Sequence, residues 1–164
     1  MKCYFLFLPL ISAVLATAAS DQVSPSESTQ NENENEKAIG QVLAASVEAW
    51  NHHDAKAFSM TFAEDADFTN VVGMSAHGRA EIEKFHAPMF ASNFKDSNLK
   101  MTGTKIRFIR PDIAAVDAWW ELTGARGADG QEIPMRKGLL NFLMTRQSGQ
   151  WFITVMHNMD LPQK

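Results

Sequence analysis

The residue of this sequence best suited to moving a proton is His157, because histidine is the side chain whose ordinary pKa lies nearest physiological pH. It stands late in an alternating run from Gln150 to Asn158. Strand side chains alternate, which sets His157 on one face with Trp151, Ile153 and Val155. If that face lines a cavity, His157 is its base and Asp160 is near enough to orient it; if not, it is an edge histidine bonded to neighbouring backbone. Asn141 is a polar residue amid Leu139, Leu140, Phe142 and Leu143, so it either contacts a ligand or faces outward at an interface. Adjacent Trp119 and Trp120 face opposite sides of their strand. Periodicity does not distinguish them; Trp120 is the candidate for a cavity wall, and its neighbour would then suit an interface.

Other chemistries lack their residues. His52 and His53 are neighbours that point apart, His77 and His86 stand alone, and no His-Glu-x-x-His helix occurs, so no metal is expected. His77 and Arg79 flank Gly78 at a helix entry, where turn and cap structure is the expected role and attraction of an anion to the helix N-terminus the alternative. No Gly-x-Gly-x-x-Gly joins a strand to a helix, and Gly124, Gly127 and Gly130 fit a hairpin loop, so no cofactor is expected either.

The elements that position these residues follow from hydrophobic spacing. Ile39, Val42, Leu43, Val47 and Trp50 recur at helical steps, Asn51-His52-His53 ends that helix, and Asp54 caps a second one with Phe58 and Phe62 on its apolar side. Ala66 to Val72 alternates as a strand turned by Gly73. Arg79 to Phe90 returns to helical spacing through Ile82, Phe85, Met89 and Phe90, with Pro88 near its end. Strands are predicted over roughly Asn98 to Ile109, Ile113 to Gly124, Glu132 to Arg146 and Gln150 to Asn158, separated by Arg110-Pro111-Asp112, Gly127 to Gly130 and Ser148-Gly149. Helices first and then a long meander indicate an α+β domain, with a curved antiparallel sheet wrapped around N-terminal helices to form a cone. Eight methionines between Met60 and Met159 suit an adaptable apolar interior.

Composition agrees with one globular domain: 164 residues, 45% apolar, 21% charged and a net charge of −4. Lys and Arg are scattered, so nucleic acid is not an expected partner. Residues 1–20 have a charged start at Lys2, an apolar run too short to span a bilayer, and small residues at Ala16, Ala18 and Ala19, the pattern of a cleaved secretory signal. A secreted or periplasmic protein with no membrane association after cleavage is expected, and the single cysteine, Cys3, leaves with the signal. Residues 21–37 are mostly Ser, Gln, Asn and Glu, with one valine, Val23, and are read as a disordered polar linker. The domain proper is placed at 38–161.

From Ala38 to Leu161 the punctuation resembles the NTF2-like superfamily, within it the SnoaL-like proteins, and especially the SgcJ/EcaC group. The resemblance rests on Ala49-Trp50-Asn51 with His53-Asp54, Phe62-Ala63-Glu64-Asp65-Ala66, Asn70-Val71-Val72-Gly73 and His77-Gly78-Arg79. Further matches are Arg107-Phe108 before Pro111-Asp112, the Asp129-Gly130 turn, and Gly149-Gln150-Trp151 running to His157-Asn158. It implies an NTF2-like cone with an internal pocket and homodimerisation through the outer sheet face. The implied activities range from isomerases and polyketide cyclases to proteins without chemistry.

Alignment with ketosteroid isomerases puts Asn70 at their aspartate base and Ser46 at their oxyanion-binding tyrosine. An amide takes no proton near neutral pH, so steroid-type isomerisation is not expected. Asn70 can still orient a carbonyl or hydroxyl. The expected site therefore holds His157 and Asn70 as candidate catalytic residues and Trp50, Asn70, Trp120, Asn141 and His157 as candidate ligand contacts. A small, largely apolar molecule is the expected partner, with weak acid–base chemistry or none. The alternative is a non-catalytic dimeric association module that uses the exposed sheet face.

Overall fold

A computed structural model describes residues 25–162. The secretory-signal reading of residues 1–20, with Cys3, lies outside the described residues.

The first helix, α1, runs Pro25–Asn51. Its buried side is Asn35, Ile39, Leu43, Ser46 and Ala49, three or four residues apart, which continues the apolar stripe one turn further back than hydrophobicity alone predicts. Of the linker expected over 21–37, residues 21–24 lie outside the described residues, and the rest is corrected: the chain is helical from Pro25. Asn35 supplies the reason. It is buried, its Oδ1 accepts from Trp151 Nε1 at 3.0 Å, and its Nδ2 donates to Asn31 Oδ1 at 2.8 Å, so a polar residue packs where none was expected to.

The helix ends where His53 takes φ 56° and its N–H turns back to Trp50 O. Asp54 Oδ1 then accepts from Ala57 N and caps α2 (Ala55–Met60). Phe62, expected on that helix, instead opens β1 (Phe62–Thr69), which is followed by β2 (Ser75–His77) and α3 (Arg79–Phe90). The meander consists of β3 (Asn98–Arg110), β4 (Ile113–Thr123), β5 (Arg136–Gln147) and β6 (Gln150–Asp160).

The six strands form one curved, unclosed sheet in the order β2-β1-β6-β5-β4-β3. Neighbours are antiparallel except β1 and β6, which run parallel where the first long strand lies between β2 and the last strand. Helices cover the concave face, and the core between the layers centres on Ile39, Phe62, Ile82, Met144 and Ile153, all fully buried. The architecture is α+β, with the sheet wrapped around the N-terminal helices. No described helix is long and apolar enough to cross a membrane.

One irregularity decides which side chains enter the cone. On β5, Leu143 and Met144 are consecutive, but their partners on β6 are Val155 and Ile153, leaving Thr154 as an extra residue. Such a β-bulge reverses the inward–outward alternation beyond it. Trp151 and Ile153 face the core before the bulge, and Met156 faces it afterwards.

Candidate functional site

The concave face and the helices enclose a cavity of about 250 Å³. Its inner end is aromatic: Trp50 from α1, Phe58 from α2 and Phe68 from β1 stand around His86 of α3. Phe142, Leu140, Ile153 and Met156 form the floor on the sheet side. Val72 and Met74, both well exposed on the β1–β2 turn, mark the mouth together with Asn70, Arg136 and Asn158.

His86 lies at four-residue steps between Ile82 and Phe90, on the buried side of α3, and is 1% exposed. Rings of Phe58, Phe68, Phe85, Phe90 and Trp50 surround it, with centroids 4.5 to 6.2 Å away. Nδ1 donates to Ile82 O at 2.8 Å, which fixes the tautomer in the neutral ring. Burial pushes its pKa down to about 4, partly opposed by that backbone bond. His86 is therefore uncharged at neutral pH. Nε2 has no hydrogen-bond partner among the described residues, yet no described buried side-chain nitrogen or oxygen is left unpartnered. Nε2 is therefore not fully sealed, and His86 is one of the residues that line the cavity.

The mouth is built from polar groups. Trp120, 3% exposed, donates from Nε1 to Asn158 Oδ1 at 2.9 Å, and the guanidinium of Arg136 lies over the Trp120 ring, 5.7 Å from its centroid. Arg136 Nη2 in turn holds both carboxylate oxygens of Asp160, at 2.7 and 2.8 Å. Asn70 is committed in part, since its Oδ1 accepts from Val72 N and Met74 N and so closes the β1–β2 turn, where Gly73 takes φ 82°. Its Nδ2 has no partner among the described residues.

Of the residues singled out in the sequence, Trp50, Asn70 and Trp120 line the cavity; Asn141 and His157 do not. Trp50 contributes its ring, because its N–H is taken by Ser97 Oγ at 3.1 Å. Ser46 also lines the cavity, with its hydroxyl donated to Leu43 O. The roles expected of His157 and Asn141 in the pocket are corrected. The bulge at Thr154 turns His157 outward, where it is exposed, and brings Asn158 inward in its place. Asn141 pairs across the outer face between Asp117 and His157, and its Nδ2 donates to Asp117 Oδ1 at 2.6 Å. Asp160, expected to orient His157, is held by Arg136 instead. The tryptophan pair resolves as Trp120 inward and Trp119, 37% exposed, outward.

Sequence reasoning missed His86, Arg136 and Asn158. For His86 the signal was present, since Ile82, His86 and Phe90 keep a four-residue step. For Asn158 it was not, because a bulge leaves no mark in hydrophobic alternation.

A profile of the SnoaL-like domain matches residues 43–151. The chain belongs to the SnoaL-like domain family. Solved structures agree with this NTF2-like fold. An uncharacterised protein with a cystatin-like fold from Caulobacter vibrioides is 27% identical, with a TM-score of 0.73 over 79% of this chain and 91% of that one. A provisionally assigned scytalone dehydratase from Novosphingobium aromaticivorans is 16% identical, with a TM-score of 0.72 over 82% and 89% of the two chains. An NTF-2 like protein of unknown function from Shewanella oneidensis is 22% identical, with a TM-score of 0.63 over 77% and 99%. Curated proteins include no significant match. At these identities the last two share the SnoaL-like domain's fold and nothing more specific.

Proposed function

We propose that this SnoaL-like domain binds a small, largely apolar molecule in its cone, with His86 Nε2 as the hydrogen-bond acceptor at the inner end. The observation that carries this reading is a neutral histidine that lines the cavity and is caged in aromatic rings, with one nitrogen fixed by Ile82 O and the other without a partner among the described residues. An acceptor held in an aromatic cage away from bulk water gains from any bound group that supplies a donor. At about 250 Å³ the cavity falls below the roughly 300–1,000 Å³ usual for drug-sized ligands, so the ligand is smaller than those.

Binding is favoured over proton transfer. A general base works best with a pKa near the operating pH, and burial holds His86 far below it. Export of the chain, its place in the SgcJ/EcaC group and its dimerisation belong to the same proposal. Dimerisation is supported by the outer sheet face, where Trp119, Leu139 and Met159 form a row across β4, β5 and β6.

Native mass spectrometry of the chain purified from its own host tests the reading. The expected result is a reproducible small-molecule mass on the wild-type protein that is absent from Met156→Trp, whose indole fills the cavity. A wild-type protein that is always empty would overturn it. The same spectrum reports the dimer, which Trp119→Glu is expected to dissociate.

A further inference from the structure

The two ends of the cavity differ in what they lack. At the inner end the unpartnered group is an acceptor, His86 Nε2; at the mouth the unpartnered groups among the described residues are donors, Asn158 Nδ2, whose Oδ1 is taken by Trp120, and Asn70 Nδ2, whose Oδ1 closes the β1–β2 turn. We propose that the cavity selects an uncharged, two-ended molecule that enters donor-first, giving a hydroxyl hydrogen to His86 Nε2 and receiving a hydrogen bond from Asn158 Nδ2 on a carbonyl-type oxygen at the mouth. This rests on the binding reading above and adds the polarity and charge of the ligand.

Neutrality follows from the mouth. Arg136 is the cavity's one charged lining residue among those described, and Asp160 already holds it through Nε and Nη2. A ligand carboxylate placed there would sit beside Asp160 and leave a net negative charge at a partly buried site. A carbonyl carries no such cost. At the inner end a carboxylate or a ketone would set oxygen lone pairs against the lone pair of Nε2, whereas a hydroxyl supplies the missing hydrogen. Ser46 does not change this end, because its hydroxyl hydrogen is given to Leu43 O.

Four probes separate the ends: a butanone carrying a para-hydroxyphenyl group at its far end, the same ketone without the hydroxyl, para-butylphenol, and para-hydroxyphenylpropanoate. Binding is read by titration calorimetry on the full chain at neutral pH. The hydroxyphenyl butanone is expected to bind about tenfold more tightly than either one-ended analogue, one good hydrogen bond apiece. The propanoate is expected to bind more weakly than the butanone.

In His86→Phe the two ketones should bind alike. In Asn158→Asp, which keeps an acceptor for Trp120 Nε1 but removes the donor, the butanone should lose its advantage over butylphenol. Four equal affinities would overturn the polarity and leave the apolar-binding reading standing. Tightest binding by the propanoate would overturn the neutral mouth. Absence of saturable binding by any probe would overturn the proposal, and an empty cavity in the native mass spectrum would separately overturn the reading beneath it.

Discussion

Trp120 on β4 reaches across β5 to donate its indole N–H to Asn158 on β6, and it can do so only because the residue between them is Gly138. The register sets Trp120 opposite Gly138, and Gly138 opposite Asp160. A Cβ at 138 would fall inside the Trp120 ring and against Met159 O. One wall of the cavity and its mouth amide are thus fixed by an absent side chain.

Gly138→Ala is therefore expected to destabilise the fold by about 1–3 kcal/mol, the usual cost of overpacking a core. The indole must swing away, so the Trp120 bond to Asn158 is expected to break as well. Urea denaturation measures the first effect, and the indole N–H resonance of Trp120 reports the second. An alanine variant with wild-type stability and an unshifted indole signal would contradict the packing.

Stability should fall in mild acid because of His86. Its pKa is lowered to about 4 in the folded chain, against an ordinary value of 6.5, so below pH 6.5 the unfolded chain takes up a proton that the folded one refuses. Stability contributed by neutral His86 is complete above pH 6.5, declines as pH falls and levels off below about 4. The loss by pH 5 is on the order of 2 kcal/mol. Exposed His77 works in the opposite sense, since its bond to Asp67 raises its pKa and favours folding at lower pH. The check is consequently a difference: the change in unfolding free energy between pH 7 and pH 5 in wild type, less that in His86→Phe. A difference near zero would contradict a buried neutral histidine.

Much of the fold could be read from spacing, because burial of one face imposes its period on the sequence. Asp54 as a cap, the turn at Gly73, α3 and the four meander strands all announce themselves this way, although the strand expected over Ala66 to Val72 is Phe62–Thr69 and Asn70 already belongs to the turn. Two features escaped for physical reasons. Hydrophobicity says nothing about a buried polar residue whose partner is distant in the chain, which is how the helical turn around Asn35 looked like a solvated spacer. A one-residue bulge reverses every side chain beyond it without altering composition, which moved the site from His157 to Asn158. His86 could have been found from its four-residue step, but a helix face does not reveal whether a histidine packs or opens to a cavity.

The correction at Asn35 predicts that residues 25–37 contribute to stability. Asn35→Leu leaves the Trp151 indole N–H buried without an acceptor, at an expected cost of about 1–3 kcal/mol. A chain beginning at residue 38 loses the same bond and the first turns of α1, so its melting temperature should lie well below that of a chain beginning at residue 25. Equal melting temperatures would restore the spacer reading.

The exchange of His157 for Asn158 can be tested on the two neighbours directly. His157 is exposed on the outer face and makes no contact with the cavity, so His157→Ala should leave ligand affinity unchanged and stability within ~0.5 kcal/mol of wild type. Asn158→Ala removes both the acceptor of Trp120 Nε1 and the amide at the mouth, so it should weaken ligand binding several-fold, and the buried indole should cost about 1–3 kcal/mol of stability. The two positions differ by one step along β6, and a strand without the Thr154 bulge would reverse their effects. Affinity measured for both variants with the hydroxyphenyl butanone therefore reads the strand's register as well as the site. A loss confined to His157→Ala would mean that the bulge is absent in solution and that the histidine lines the cone after all.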